Sequence, residues 1–221
     1  MLATYKEALK EVKDGIRELL ENLSMANEII YNGISTCNQE EFKEARTNLK
    51  NTTAKTVTID NNIIKLLALY TPEATDLREV VAFLKITNEI LRAATSTRSM
   101  IKGLTDTCEE IDSDMIKDFA LPLQLSSLNA IKLVKEMLDI DYEDELRDTF
   151  NETLIEENKT DDLYELLERS VLDNQVNSLE DFEKKHKILR AFRKSEKIAD
   201  RSVSMAYLLL YIKIGGTMQR S

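Results

Sequence analysis

Two pairs of acidic residues are the first candidates for chemistry, because each pair interrupts an apolar helical stripe. Glu196 and Asp200 lie four residues apart within a stripe near the C-terminus, and Glu157 and Asp161 repeat this spacing earlier in the chain. The later stripe consists of Leu189, Phe192, Ala199, Val203 and Ala206. Carboxylates four residues apart on a helix share one side of it, and they repel unless a cation or a basic side chain lies between them.

The two acid pairs predict a cation site if their helices are antiparallel neighbours. The four carboxylates would then form an all-oxygen cage that could hold iron, manganese, zinc, magnesium or calcium, and ligand type alone does not choose among them. The alternative is an ordinary charged surface. There, Lys159, Arg193 and Lys197 would neutralise the acids in pairs worth roughly 0.2–0.5 kcal/mol each. Helical spacing leaves both interpretations open.

Motifs for conventional catalysis are scarce in this sequence. Glu183 and His186 have the Glu-x-x-His spacing of di-iron carboxylate bundles, but those sites use the motif twice and His186 is the only histidine. The chain has no Gly-rich phosphate loop, Ser-His-Asp set or paired cysteine ligands. We therefore predict that the protein is not an enzyme. The less favoured alternative is a hydrolase or oxidase that uses a metal bound by the acid pairs.

The charge balance is acidic, with 30 Lys and Arg against 40 Asp and Glu and a net charge of −10. This balance argues against a nucleic-acid partner and favours cations or basic surfaces. Four basic residues on the predicted third helix, Arg78, Lys85, Arg92 and Arg98, could bind an anion. Basic residues exposed on a helical bundle are, however, usually solvated.

Composition and periodicity predict an all-α protein of six long helices. The 221 residues include only five Gly, two Pro and no Trp, which suits long helices better than sheets. The second helix is predicted to be continuous to about Tyr70, and Pro122 to kink or split the fourth. Boundaries are predicted at Asn32-Gly33, Asn38, Pro72, Gly103, Ser178 and Gly215-Gly216. Two sets of three helices predict an internal duplication, with repeats at residues 1–105 and 106–221.

Cysteine usage and hydropathy predict a cytoplasmic protein that does not cross a membrane. Cys37 and Cys108 lack the spacing of paired ligands and no signal peptide is evident, so we predict free thiols in a reducing compartment. The most apolar run, from Ala206 to Ile212, has seven residues. A bilayer requires roughly 20.

Three segments together point to a family. Residues 71–78 read Thr-Pro-Glu-Ala-Thr-Asp-Leu-Arg and lead into an apolar helix, residues 196–200 read Glu-Lys-Ile-Ala-Asp, and Tyr211 precedes Gly215-Gly216. These segments resemble the Pro-x-Ala-x-Asp-Leu-Arg, Glu-Arg-Ile-Gly-Asp and closing Tyr-x-x-x-Gly patterns of the PhoU family of phosphate-uptake regulators. The resemblance implies a PhoU-like fold of two tandem three-helix bundles.

The resemblance also implies metal binding at the two acid pairs, because family members can hold metal clusters through such acidic motifs. Iron, zinc, manganese or magnesium would be the expected ion. The first half departs from the pattern: residues 91–95 read Leu-Arg-Ala-Ala-Thr where the acidic motif belongs, and Lys50 and Thr53 stand where further acids are expected. We therefore expect at most one metal site, in the second repeat.

The function implied by the resemblance is regulation of phosphate uptake and phosphate-responsive signalling through protein–protein contacts. The expected partners are a phosphate transporter component, either an ATPase or a carrier, and a sensor histidine kinase. Contact with the cytoplasmic membrane face would then be peripheral and through the partner. A homodimer is left open. The alternative is a metal-free helical bundle that acts as a structural or interaction protein.

Overall fold

A computed structural model describes residues 2–72, 74–173 and 178–216 of the chain, and these residues are almost entirely helical. The helices are α1 (Leu2–Thr36), α2 (Gln39–Asn48), α3 (Thr52–Tyr70), α4 (Ala74–Thr107), α5 (Ser113–Met115), α6 (Leu121–Met137), α7 (Glu143–Asp173) and α8 (Leu179–Ile214). A 3-10 turn spans Cys108–Glu110 and a π-helical turn spans Ile116–Ala120. The all-α prediction is confirmed, and none of the described helices has the length and apolarity that a bilayer span requires.

The described helices group into six rods when α2 is counted with α3 and α5 with α6, because only a few residues separate the two members of each pair. The prediction of an unbroken second helix is wrong. The chain leaves α2 after Asn48, and the Thr52 N–H donates to the Leu49 carbonyl at 3.3 Å, which closes a tight turn before α3. The local sequence explains the break, since the Thr and Asn residues that flank it are poor helix formers.

Several predicted helix ends are confirmed. The Asn38 side chain accepts a hydrogen bond from the Glu40 N–H at 3.0 Å, and Ser178 accepts one from the Asp181 N–H at 3.1 Å, so both residues cap their helices. Gly215, with φ of +76°, ends α8. Pro122 lies in the first turn of α6, directly after the π-helical turn that interrupts the α-helical pattern of the fourth rod. A kink at Pro122 stays a prediction.

Three other predicted boundaries are wrong. The first helix continues beyond Asn32-Gly33 to Thr36, and α4 begins at Ala74 rather than at Pro72. Gly103 lies inside α4, which ends at Thr107. Gly103 is needed for packing, because a Cβ atom there would lie 2.7 Å from the Ala191 Cβ of α8. The glycine lets two long helices approach closely.

Helix packing joins the two halves of the chain. The three rods of each half contact one another, while α4 packs along α8 and α1 packs against α6. Both buried hydrophobic clusters draw residues from both halves: the first core includes Leu104 and Phe192, and the second includes Ile86 and Leu209. The division into repeats at residues 1–105 and 106–221 stays a prediction.

A buried polar network crosses the interior of the bundle. The Gln124 Nε2 of α6 donates to the Asn27 Oδ1 of α1 at 3.1 Å, and the Ser195 Oγ of α8 donates to the Gln124 Oε1 at 2.9 Å. Asn27 also donates to Thr97 of α4, and Ser127 donates to the Ser195 carbonyl. All five side chains are fully buried. The network therefore links four helices from both halves.

Cys37 and Cys108 form a disulfide bond, with their Cα atoms 5.5 Å apart, so the prediction of free thiols is wrong. The two cysteines follow the C-terminal ends of α1 and α4, which the fold brings side by side although 71 residues separate them in sequence. Disulfides are uncommon in reducing compartments. The prediction of a cytoplasmic location relied largely on free thiols. That location stays a prediction.

Candidate metal centre

Three of the four predicted ligands lie together on neighbouring helices. Glu157 and Asp161 of α7 and Asp200 of α8 each place one carboxylate oxygen within 4.8 Å of the other two. Glu157 and Asp161 are one helical turn apart, and the packing of α7 against α8 brings Asp200 opposite them. We call these three residues the acidic trio. Asp161 is exposed and the other two are half-buried, so the trio is open to solvent.

The acidic trio is electrostatically unfavourable on its own. Burial raises the pKa of Glu157 above its usual value, and the neighbouring charges of Asp161 and Asp200 raise this pKa further. Burial also raises the pKa of Asp161, followed by the charge of Asp200. Neither Glu157 nor Asp161 forms an ion pair with any residue that the structure describes. A cation between the carboxylates would offset this repulsion.

Glu196, the fourth predicted ligand, lies apart from the trio. Its side chain is only 8% exposed and forms an ion pair with Arg193, while the Lys197 ammonium lies 4.0 Å away. Its Oε2 accepts no hydrogen bond from the described residues. Burial raises the pKa of Glu196, and the charge of Arg193 opposes this rise. Glu196 is therefore a buried neighbour of the site that is paired with Arg193.

The basic residues considered as neutralising partners are divided between the acids. Lys197 lies 3.4 Å from Asp200, and Arg193 pairs with Glu196 while its guanidinium stacks 4.9 Å over the Tyr164 ring. Lys159 pairs instead with Glu156, at 2.6 Å. Surface pairing thus applies to Asp200 and Glu196 but leaves the acids of α7 without a partner among the described residues.

The donor set fits a hard divalent cation. Carboxylate oxygens from two helices are the ligands that magnesium and manganese prefer, and iron also accepts them. Zinc in proteins more often takes nitrogen and sulfur ligands, and calcium takes six to eight oxygens. Three side chains leave room for water in the coordination sphere of such an ion. Among the described residues, the acidic trio is the one group of three or more potential ligands at this spacing.

The buried polar network holds the turn of α8 that precedes Glu196. Ser195 donates to Gln124 at 2.9 Å, and its carbonyl accepts from Ser127 of α6 at the same distance. On α7, Thr160 is fully buried and precedes Asp161. The interior of the bundle therefore anchors the turn of α8 before Glu196 and buries the α7 residue before Asp161.

Sequence reasoning missed an ion-pair triad between α4 of the first half and α8 of the second. Glu89 of α4 is buried and lies 3.2 Å from both Arg92 of its own helix and Arg201 of α8. Arg201 directly follows Asp200 in the chain. The sequence feature that could have identified this triad is an acid on the apolar face of α4 with an arginine three residues later. Glu89 is thus already neutralised by two guanidinium groups.

We expect the substitution Asp161→Asn to stabilise the metal-free protein by a few tenths of a kcal/mol at pH 7. An acid whose pKa is raised on folding contributes stability below its unfolded pKa, and this contribution is lost as the pH rises through the folded pKa. The gain should therefore vanish in acid. Urea unfolding at pH 7 and in acid measures this difference in stability. The control is Asp148→Asn, which changes an exposed acid of α7 outside the trio. Destabilisation at pH 7 would contradict it.

The fold and the trio together define a class, namely helical-bundle proteins of six rods with a carboxylate cluster between two helices. Comparison with known proteins shows what the chain is similar to. Residues 16–104 match the family model described as the PhoU domain. No curated protein gives a significant sequence match to this chain. The matched segment lies in the first half, whereas the acidic trio lies in the second.

Two crystal structures share the fold over nearly the whole chain. PhoU from Pseudomonas aeruginosa has a TM-score of 0.83 and 15% identity, and covers 96% of this chain and 100% of its own. The phosphate transport system regulatory protein PhoU from Streptococcus pneumoniae has a TM-score of 0.80 and 14% identity, with coverage of 96% and 98%. The chain thus has the PhoU fold and its residues 16–104 match the PhoU domain, in agreement with the resemblance inferred from its motifs.

Proposed function

We propose that this protein is a non-enzymatic regulator of phosphate uptake and phosphate-responsive signalling, which acts through protein contacts and binds one divalent metal at the acidic trio. The geometry of the trio carries the metal assignment: three carboxylates from α7 and α8 lie within 4.8 Å of one another. The PhoU domain and the PhoU fold support the regulatory role. The relative from Streptococcus pneumoniae is itself described as a phosphate transport system regulatory protein.

The residues of the trio would act by binding and holding the cation. Glu157, Asp161 and Asp200 supply the oxygens, and the charge of the cation offsets the repulsion that raises the pKa of Glu157 and Asp161. Binding would therefore stabilise the packing of α7 against α8. Iron, manganese and magnesium fit the oxygen donors better than zinc does. Glu196 is paired with Arg193, so it would lie next to the bound cation rather than coordinate it.

The partners that fit this role are a phosphate transporter component, either an ATPase or a carrier, and a sensor histidine kinase. We infer a cytoplasmic protein that meets the membrane only through such a partner, with no nucleic-acid ligand. A homodimer remains compatible with this role. Helical bundles bind partners through exposed faces, and the large apolar side chains exposed here include Ile64, Leu69 and Leu179.

Metal binding is tested on protein purified without a metal-chelating tag, by elemental analysis and by titration with Mn²⁺, Fe²⁺, Mg²⁺ and Zn²⁺. We expect one ion per chain, and its loss when Glu157→Gln is combined with Asp200→Asn. The matched control combines Glu152→Gln with Asp148→Asn, two exposed acids of α7 outside the trio. Equal binding by both double variants, or no stoichiometric metal in the unmodified protein, would refute the metal site.

The regulatory role is tested separately, by deletion of the gene and by co-purification. Deletion should change phosphate uptake, and the tagged protein should capture a transporter component or a histidine kinase. Capture that survives Glu157→Gln with Asp200→Asn would favour the metal-free interaction bundle. Unchanged uptake together with no capture of any phosphate-uptake component would overturn the regulatory proposal.

A further inference from the structure

A basic pocket lies in the first half, at the break between α2 and α3. Its volume is about 540 Å³, and its polar lining consists of Lys43, Arg46, Thr47, Lys50, Thr53 and Arg98. The first three basic residues come from α2 and the following turn, and Arg98 comes from α4. No carboxylate from the described part of the chain lines the pocket. This is a local excess of positive charge on a chain whose net charge is −10.

Three of the four basic side chains have no acidic partner among the residues that the structure describes. Lys43 pairs with Glu40 at 2.6 Å, and both groups are exposed. Arg46, Lys50 and Arg98 form no ion pair within the described parts of the chain. In contrast, the neighbouring Lys55 and Arg92 are each paired with a glutamate. The pocket therefore concentrates unneutralised positive charge.

Arg98 is held in position by the break itself. Its Nη1 donates to the Leu49 carbonyl at 3.2 Å and its Nη2 donates to the Thr95 Oγ1 at 3.2 Å. Leu49 offers this carbonyl because α2 ends there. Burial lowers the pKa of Arg98, and the nearby charge of Arg46 lowers it further. Two guanidinium groups thus share one partly buried space, and an anion between them would relieve their repulsion.

The start of α3 adds to the attraction. Asn51 precedes this 19-residue helix but its side chain makes no capping hydrogen bond, and Thr53, in the first turn, lines the pocket. The first N–H groups of a helix have no partners within it, and the helix dipole favours negative charge there. This contribution supplements the four basic side chains, which remain the main feature of the site.

We propose that this pocket binds a phosphate-type oxyanion, either as inorganic phosphate or as the phosphate group of a small molecule. Guanidinium groups match the oxygens of such anions in bidentate pairs, and lysines add point charges. Thr47 and Thr53 complete the polar lining, although the Thr47 hydroxyl already donates to the Lys43 carbonyl at 3.0 Å. The site lies in the opposite half from the acidic trio and does not depend on the proposed function.

A second basic pocket provides a matched control. It lies between α4 and α8, has a volume of about 410 Å³, and is lined by Lys102, Lys187, Arg190 and Lys194. The carboxylate of Asp106 also lines it, so its positive charge is partly offset. Lys187 and Arg190 are exposed, as are Lys50 and Arg46. Removing one lysine and one arginine from either pocket changes the net charge equally.

Equilibrium dialysis with labelled inorganic phosphate and with labelled pyrophosphate tests the site, with ATP and sulfate as competitors. We expect saturable binding of about one anion per chain. Arg46→Gln combined with Lys50→Gln should weaken binding at least tenfold, because both residues are exposed and neither supports the fold through an ion pair. The control pair, Lys187→Gln with Arg190→Gln, should bind within about twofold of the unmodified protein.

Each further outcome decides the proposal. Displacement of labelled pyrophosphate by ATP, without saturable binding of labelled inorganic phosphate, would assign an organic phosphate. Saturable binding of labelled inorganic phosphate that ATP does not displace would assign the free anion. Arg98→Lys keeps the charge but loses the paired donors, so binding should weaken while the unfolding midpoint identifies any loss of fold. Glu157→Gln should leave anion binding unchanged. No saturable binding of any probe, or equal weakening in the control pair, would overturn the proposal.

Discussion

Replacing Cys37 and Cys108 together by alanine is expected to lower the free energy of unfolding by about 4 kcal/mol. The disulfide closes a loop across a sequence separation of 71 residues, and a cross-link of this length removes much of the conformational entropy of the unfolded chain. Both sulfur atoms lie near the Ile34 carbonyl, so the bond also fixes the end of α1 against the turn after α4.

Denaturant unfolding with and without dithiothreitol measures this effect. The reductant should shift the unfolding midpoint of the unmodified protein and leave the midpoint of the double alanine variant unchanged. Either single alanine variant should behave like the double variant, because one cysteine cannot form the bond. Two titratable thiols in the unfolded, unreduced protein, together with no effect of dithiothreitol, would show that the disulfide does not form.

The substitution Gln124→Leu is expected to destabilise the protein by about 3 kcal/mol. The change preserves much of the side-chain volume but removes the Gln124 donor to the Asn27 Oδ1 and leaves the Ser195 hydroxyl with only the weak Met100 sulfur acceptor at 3.4 Å. Asn27 and Ser195 are both fully buried. A buried polar group without a partner costs about 1–3 kcal/mol. The loss arises mainly from these stranded groups rather than from a cavity.

A double-mutant cycle separates the cost of stranded polar groups from the cost of a cavity. Ser195→Ala alone leaves the Gln124 Oε1 without its donor, whereas the combination with Gln124→Leu removes both partners of that hydrogen bond. The combined loss should therefore be smaller than the sum of the single losses. Strict additivity would contradict a cooperative network. Circular dichroism should show that helix content is unchanged in all three variants.

The helices were predictable because their signals are local. Apolar periodicity specifies which face of a long helix is buried, and the caps at Asn38 and Ser178 depend on hydrogen bonds within three residues. The boundary errors arose where a residue type that often ends helices has another role, such as close helix packing. Gly103 suggests a helix end, yet it permits close packing against Ala191, which lies 88 residues later in the chain.

The candidate metal centre was predictable in part. Spacing placed Glu157 and Asp161 on one face of a helix, and the interrupted stripe identified Asp200. Spacing could not show which acids would face one another across α7 and α8. Glu196 lies on the same stripe but pairs with Arg193 and is not part of the trio, and this pairing depends on rotamers and packing that the sequence does not display.

Charge distribution and disulfide pairing depend on tertiary contacts. The net charge of −10 gives no sign of a pocket with four basic residues. Arg98 lies beside Arg46 only because α4 packs against α2. The wide spacing of Cys37 and Cys108 similarly suggested unrelated thiols. The parallel ends of two helices bring them together, and only the order of the rods reveals this.

Both hydrophobic cores contain residues from both halves of the chain, and this limits how the protein could be truncated. A fragment of residues 1–105 would keep its three rods but lose Leu123 and Phe192 from the first core, and Val134 and Leu209 from the second. The face of α4 that α8 covers in the intact chain would then meet water. Such a fragment would need a second copy, or the missing half supplied separately, to bury that face.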